Sequence, residues 1–364
     1  MKKYSLSLLI ILMILACNCL VIQAAESGAS TIPSDFPIKI PLKWKASGKL
    51  LSPKPDDNHR ALSVKDPTVV YYNGKWHVYA TVANGGWSMQ YFSFSDWSQA
   101  PDAIPTYIDV NPNFTYQNYN CAPHLFYFTP QKKWYLVFQT QPPKYCTTDD
   151  ISKPETWTAP KPFFQGQPRT LQGQWIDFHC IADETHVYMF FTGDNGNFWR
   201  CRTKIEDFPN GFSDPELAIR DTTANIFEGS ITYKIKNSDY YITLIEGLGT
   251  ARHYSAWISK DLNGEWTPLK GADSYDTPFA GLKNVTFEDG VTPWTREISH
   301  GEMLRDGYDE KMIIDPENLQ FLFQGNDTTA TQTAGGRGGR GGRGGGGGGY
   351  NSLPYRLGLL TAVK

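Results

Sequence analysis

Asp66, Asp177 and Glu228 each stand at the head of a run that is apolar or alternating, turns through a polar segment and returns. Ala122 and His300 head two further runs of the same kind. If the chain repeats a unit, residues at one phase of the repeat converge, and three carboxylates then meet a histidine. Convergent carboxylates repel one another and partial burial raises their proton affinity, so the arrangement costs stability. Glycoside hydrolysis is a chemistry that uses it. A protonated carboxyl donates to the leaving oxygen, while an ionised one activates water or attacks the anomeric carbon. One acidic residue at a strand start is most simply a turn cap; three in phase are better explained as a site.

His300 has two readings, a core histidine bonded to a carbonyl or a ligand to a cation on the axis of convergence. A single imidazole with waters is not a zinc site. A largely hydrated Ca²⁺ is the cation to consider, although Ca²⁺ usually takes oxygen ligands. Ser63, Ser230 and Ser299 would need a base partner to act as nucleophiles, and no Gly-x-Ser-x-Gly elbow is present. His77, His124 and His179 fall inside strand patterns and read as structural. No Gly-rich phosphate loop leads from a strand into a helix, so nucleotide use is not expected.

The elements that must position these residues are hairpins. The first runs from Asp66 to Thr81 and carries Asn73-Gly74 at its turn, a pair that tolerates positive φ. The others run from Ala122 to Thr140, Asp177 to Gly193, Glu228 to Glu246 and His300 to Gly325. Further strand candidates follow at Gln90–Ser95, Asn197–Lys204 and His253–Ser259. Starts spaced by roughly 50 to 70 residues leave room for about four strands per unit, the length of a propeller blade. The expected fold is all-β, a five-bladed β-propeller over residues 41–364. Arg356–Thr361 has no hairpin partner, and a C-terminal strand completing the first blade would close the ring. An open solenoid would need capping repeats, and none is visible.

The chain has 364 residues with 40% hydrophobic content, 11 Trp and 20 Tyr. Such aromatics pack sheets and also stack on sugar rings. A net charge of −3 gives no reason to expect a polyanionic partner. Residues 1–25 read as a signal peptide, with Lys2 and Lys3 before an apolar stretch and small residues at Ala24 and Ala25. Secretion is therefore expected, with no membrane span after signal removal. Ile14-Leu15-Ala16-Cys17 also matches a lipoprotein cleavage pattern, which would place an anchor on Cys17. Residues 26–40 read as a leader. Cys121, Cys146, Cys180 and Cys201 remain, and an oxidising compartment would allow them to pair. Residues 328–349 contain GGRGGRGGRGGGGGG, which buries no apolar surface and reads as a disordered loop. A nucleic-acid role for it does not suit an exported chain, and a monomer is expected.

At these residues the chain resembles glycoside hydrolase family 62, the arabinoxylan arabinofuranosidases. Lys65-Asp66-Pro67 with VVYYNGKWHVYA, CAPHLFYFTPQKKWYLVFQT, WIDFHCI, FEGSITYKI, ISHGEML and YNSLPYRLGLLT carry the resemblance. It implies a five-bladed propeller that inverts the anomeric centre and removes single arabinofuranosyl groups from arabinoxylan. By the resemblance, Asp66 is the general base, Glu228 the general acid, and Asp177 tunes the pKa of Glu228 and orients the sugar. His300 matches the calcium-linked histidine of the channel. Lys65 and Arg252 would line the arabinose pocket, and Tyr350 and Asn351 would touch the sugar chain at its mouth. The Gly/Arg insertion directly before Tyr350 departs from the family pattern at the substrate rim. A β-xylosidase or arabinanase of family 43 is the rival within hydrolases. A carbohydrate-binding propeller without catalysis is the rival outside them.

Overall fold

The computed structural model describes residues 32–83, 86–116, 118–171, 173–330 and 353–364. The expected signal peptide, Cys17, most of the Gly/Arg stretch, Tyr350 and Asn351 lie outside the described residues. Among the described residues, no helix is long and apolar enough to cross a membrane.

Each of the five hairpins forms, and each sits in its own sheet. Blade 1 comprises Ser63–Tyr72, Lys75–Ala83, Trp87–Phe94 and Thr106–Tyr107. Blade 2 is built on Cys121–Phe128 and Lys133–Gln139, blade 3 on Ile176–Ala182 and His186–Thr192. Blade 4 is built on Glu228–Ile235 and Tyr241–Leu248, blade 5 on Ser299–Met303 and Gln320–Asn326. Asn73 and Gly74 both take positive φ, 48° and 77°, which matches the hairpin twist that the Asn-Gly pair favours.

The first strands of the blades contact one another in sequence, and that of blade 5 returns to that of blade 1, so the ring is closed. Apolar clusters fill the spaces between neighbouring blades. Leu125, Trp134 and Phe138 pack with Val70 and Tyr79 between blades 1 and 2, and Phe178, Met189 and Phe191 pack with Phe126 and Val137 between blades 2 and 3. Face-to-face burial of this kind lets a ring of small sheets act as one domain.

The C-terminal strand Tyr355–Ala362 does close the ring, but not by joining the sheet of Asp66. It lies between Gln320–Asn326 of blade 5 and the N-terminal strand Trp44–Ala46, so both ends of the chain share one sheet. Blade 1 already has four strands of its own. The described part of the leader is not a free linker: Phe36 and Ile38 are buried, and Phe36 meets Tyr240 edge-on at 5.4 Å. Thr328, at the start of the expected loop, is also tied down, its N–H donating to Trp294 O at 2.8 Å. Cys121, Cys146, Cys180 and Cys201 are all buried free thiols, so the disulfides that secretion would allow do not form among the described residues.

Candidate active site

Every first strand carries an irregularity at the same place. The ladder register slips between Lys65 and Thr68, Cys121 and His124, Ile176 and His179, Glu228 and Ile231, and Ser299 and Gly301. A bulge re-aims side chains at a strand end. Within four of these bulges one residue takes positive φ: Asp66 at 46°, Ala122 at 46°, Asp177 at 57° and Gly229 at 59°. For a residue with a Cβ this conformation costs roughly 1–2 kcal/mol, and it recurs where the chemistry is expected.

The bulge N–H groups share a second regularity. Asp66 N–H donates to Gln324 Oε1 of blade 5, Ala122 N–H to Thr81 Oγ1 of blade 1, and Asp177 N–H to Gln139 Oε1 of blade 2. His300 N–H donates to Glu246 Oε2 of blade 4. Gly229 N–H donates instead to Asp177 Oδ2 at 2.7 Å. The equivalent positions are therefore Asp66, Ala122, Asp177, Gly229 and His300. This corrects the phase read from the sequence: Glu228 stands one residue earlier, level with Lys65, Cys121, Ile176 and Ser299. A bulge turns two successive side chains toward the channel mouth, so the three carboxylates still meet.

They meet in a cavity of about 180 Å³, which suits one small sugar ring. Its lining includes Lys65, Asp66, Asp177, Glu228, His300 and Trp87. His300 Nδ1 lies 3.3 Å from Asp66 Oδ1 and 3.9 Å from Asp177 Oδ2. Burial, then the charges of Glu228 and Asp66, push the Asp177 carboxyl well above its ordinary range, against the Gly229 N–H that favours its charged form. The Lys65 ammonium lies 4.1 Å from the Trp87 ring centroid and 5.1 Å from that of Tyr355. Aromatic faces hold a desolvated cation in this way, and Lys65 is among the residues lining the cavity.

Arg252 is bonded to Glu228 and is not among the residues named as lining the cavity. Its Nη1 is 2.5 Å from Glu228 Oε1 and 2.5 Å from Glu246 Oε1. Glu246 is fully buried and also accepts from Ser299 Oγ at 3.0 Å. Burial lifts Glu246 to about 7, with Arg252 pulling down and Glu228 pushing up. Sequence reading missed Glu246, although it marked the end of the fourth hairpin. The signal was the ladder itself, since Glu228 and Glu246 are direct cross-strand partners, a like-charge pairing that needs a cation beside it.

The weaker candidates resolve as structural. His77 bonds Tyr91 and the Tyr72 carbonyl, His124 the Cys180 carbonyl, and His179 the Thr232 hydroxyl. Ser63, Ser230 and Ser299 are all buried. Below the cavity, a space of about 20 Å³ is lined by His124, His179, Ser230, His300 and Glu302. The buried Nδ1 atoms of His124 and His179 and the Ser230 hydroxyl lack protein partners there. Among the described residues no three His, Cys, Asp or Glu side chains form a metal cage. A cation at His300 therefore fits only as a largely hydrated ion that keeps water as most of its ligands.

Residues 43–361 match the family model described as glycosyl hydrolase family 62. The chain is 37% identical over 332 residues to α-L-arabinofuranosidase C of Cellvibrio japonicus, covering 90% of this chain and 48% of that protein, about half its length. Its fold superposes on the catalytic domain of a family 62 α-L-arabinofuranosidase from Coprinopsis cinerea with a TM-score of 0.79 at 40% identity, over 88% of this chain and 97% of that one. A family 62 hydrolase solved in complex with xylotriose gives a TM-score of 0.78 at 36% identity, over 88% and 97% of the respective chains. The bulged carboxylates, the pocket and the five blades thus belong together with a match over nearly all the described residues, and the chain belongs to glycosyl hydrolase family 62.

Proposed function

We propose that this chain is a secreted, inverting α-L-arabinofuranosidase that removes single arabinofuranosyl groups from arabinoxylan. The observation that carries the reading is a pocket for one sugar ring with Asp66, Asp177 and Glu228 on its wall and Arg252 bonded behind Glu228. The relatives support it: two bear the name arabinofuranosidase, and a third holds xylotriose, the backbone to which such side groups attach.

In this mechanism Asp66 takes a proton from water as the water oxygen attacks the anomeric carbon. Glu228 gives its proton to the departing xylan oxygen, so one water is consumed and the initial product is the β-anomer. His300 holds Asp66 from one side. Burial, then the charge of Glu228, raises the proton affinity of the Asp177 carboxyl. Lys65 contacts the arabinose, and the family resemblance assigns contacts with the xylan chain to Tyr350 and Asn351. His300 would hold a largely hydrated Ca²⁺, which would supply structural counter-charge to the carboxylates, and metal analysis of the purified protein tests it. The N-terminal signal supports export, which fractionation of the producing culture checks.

Incubation with wheat arabinoxylan, followed by proton NMR, tests the reading. Arabinose appearing first as the β-anomer is the expected result. Initial α-arabinose would overturn inversion, xylose alone would favour a β-xylosidase, and binding without any release would favour a non-catalytic propeller.

A further inference from the structure

Five second-strand residues stand in a ring opposite the bulges, four of them accepting from a bulge N–H, and one member of the ring is unlike the rest. Thr81, Gln139, Thr192, Glu246 and Gln324 stand opposite Lys65, Cys121, Ile176, Glu228 and Ser299 in their ladders. Four of the five are neutral. Gln139 and Gln324 cap the N–H groups of Asp177 and Asp66 through an amide oxygen. A glutamine would serve His300 equally well, yet blade 4 carries a carboxylate with no solvent exposure. An ionised group taken out of water costs several kcal/mol even after relaxation, so the cap alone does not explain it. What sets blade 4 apart is Arg252, whose Nη1 sits between Glu246 and Glu228 at 2.5 Å from each.

We propose that Glu246 is a positioning residue for proton donation: it anchors the Arg252 guanidinium, and through it fixes the carboxyl of Glu228 toward the leaving oxygen. The inference rests on the arabinofuranosidase reading, with Glu228 as acid. Glu246 is itself held on three sides, by His300 N–H at 2.7 Å, Ser299 Oγ at 3.0 Å and Arg252. Ser299 is in turn gripped by Gln324 Nε2 at 3.0 Å. The Arg252 guanidinium also lies 4.7 Å from the ring centroid of Phe227, the residue before Glu228. Glu228 thus receives its orientation from a chain of buried contacts that begins on blade 5 and ends on the pocket wall. A hydrogen bond to a charged partner is short and directional, and two of them on one Nη1 leave the guanidinium little freedom.

The test exploits the leaving group. Xylan oxygen needs a proton to depart, whereas nitrophenolate does not. Glu246→Gln keeps the shape and can still cap His300, as Gln139 and Gln324 do for their neighbours, but it no longer holds Arg252 by charge. On arabinoxylan, kcat should fall by about 10–100-fold, part of what general acid catalysis supplies, with KM nearly unchanged. On 4-nitrophenyl α-L-arabinofuranoside the fall should be only a few-fold. Arg252→Met should show the same imbalance, and adding Glu246→Gln to it should cost little more, because the two act as one unit. Glu246→Asp, which keeps the charge, should recover part of the loss and serves if the Gln variant does not fold. Equal losses on both substrates would mean a merely structural role and overturn the proposal, as would full activity in Glu246→Gln. A wild-type protein inactive on both substrates would instead remove the arabinofuranosidase reading, and this inference with it.

Discussion

Asp177 is bonded to the backbone of the residue that follows Glu228: Gly229 N–H donates to Asp177 Oδ2 at 2.7 Å. The third carboxylate of blade 3 therefore fixes the strand that carries the carboxylate of blade 4. Asp177→Asn keeps an acceptor for Gly229 and removes the charge, while Asp177→Ala removes both. Activity on arabinoxylan should drop by about 100-fold or more in each. Stability should separate them. Burial lifts the Asp177 carboxyl well above its ordinary range, so ionising it at neutral pH opposes folding, and the opposition disappears in acid where both states are protonated. Asp177→Asn should therefore be more stable than wild type by about 1 kcal/mol at neutral pH and equal to it in acid. Asp177→Ala should lose about 1–3 kcal/mol from the unpaired N–H. Urea titrations at both pH values measure this.

Gly229 should not tolerate a side chain. Its φ is +59°, and a Cβ would stand 3.0 Å from Tyr254 Oη and 3.1 Å from Glu246 Oε2. Ala122 shows that alanine can adopt the equivalent backbone at φ 46°, so the crowding rather than the backbone decides. Gly229→Ala is expected to cost about 1–3 kcal/mol and to lower kcat by displacing Glu228. Thermal melting and steady-state rates on the same preparation check it; a stable variant with normal kcat would be evidence against the tight packing of this strand.

Asp66→Asn and Glu228→Gln should fail in different ways. Loss of the base slows attack by water on every substrate, so Asp66→Asn should lose about 100- to 10,000-fold on both arabinoxylan and the nitrophenyl glycoside. Loss of the acid matters where the leaving group needs a proton, so Glu228→Gln should be far more impaired on arabinoxylan. Parallel kinetics on the two substrates distinguish them, and matching profiles for the two variants would contradict the assigned roles.

His59 provides a pH-dependent clasp away from the pocket. Its Nδ1 lies 2.8 Å from Asp56 and its Nε2 3.1 Å from Asp109, and its ring stacks on Tyr107 at 4.0 Å. Burial alone would lower its proton affinity, but the two carboxylates outweigh it and the net shift is upward. A raised folded-state value means that the stabilisation is full below about 6.5 and is lost as pH rises through the folded value. His59→Gln should cost about 0.5 kcal/mol near pH 5.5, a modest figure because the cluster is partly solvated, and little near pH 8.5. Melting curves at the two pH values report the difference.

Local rules carried the sequence a long way. Alternation and turn chemistry, such as Asn73-Gly74, located all five hairpins, because strand pattern and turn type depend on near neighbours. Repeat spacing brought Asp66, Asp177 and Glu228 to one pocket, because a ring of similar units must place equivalent residues on one axis. What lay outside its reach is decided between blades. The one-residue offset of Glu228, the neighbours of the closing strand Tyr355–Ala362, and the free thiols follow from register and distance across the fold. So does the Glu246–Arg252–Glu228 bridge. Glu246 looks in sequence like any residue at the end of a strand. Only tertiary packing strips its water, sets it opposite Glu228 and leaves a single guanidinium to hold both, because burial and charge pairing act through space and not along the chain.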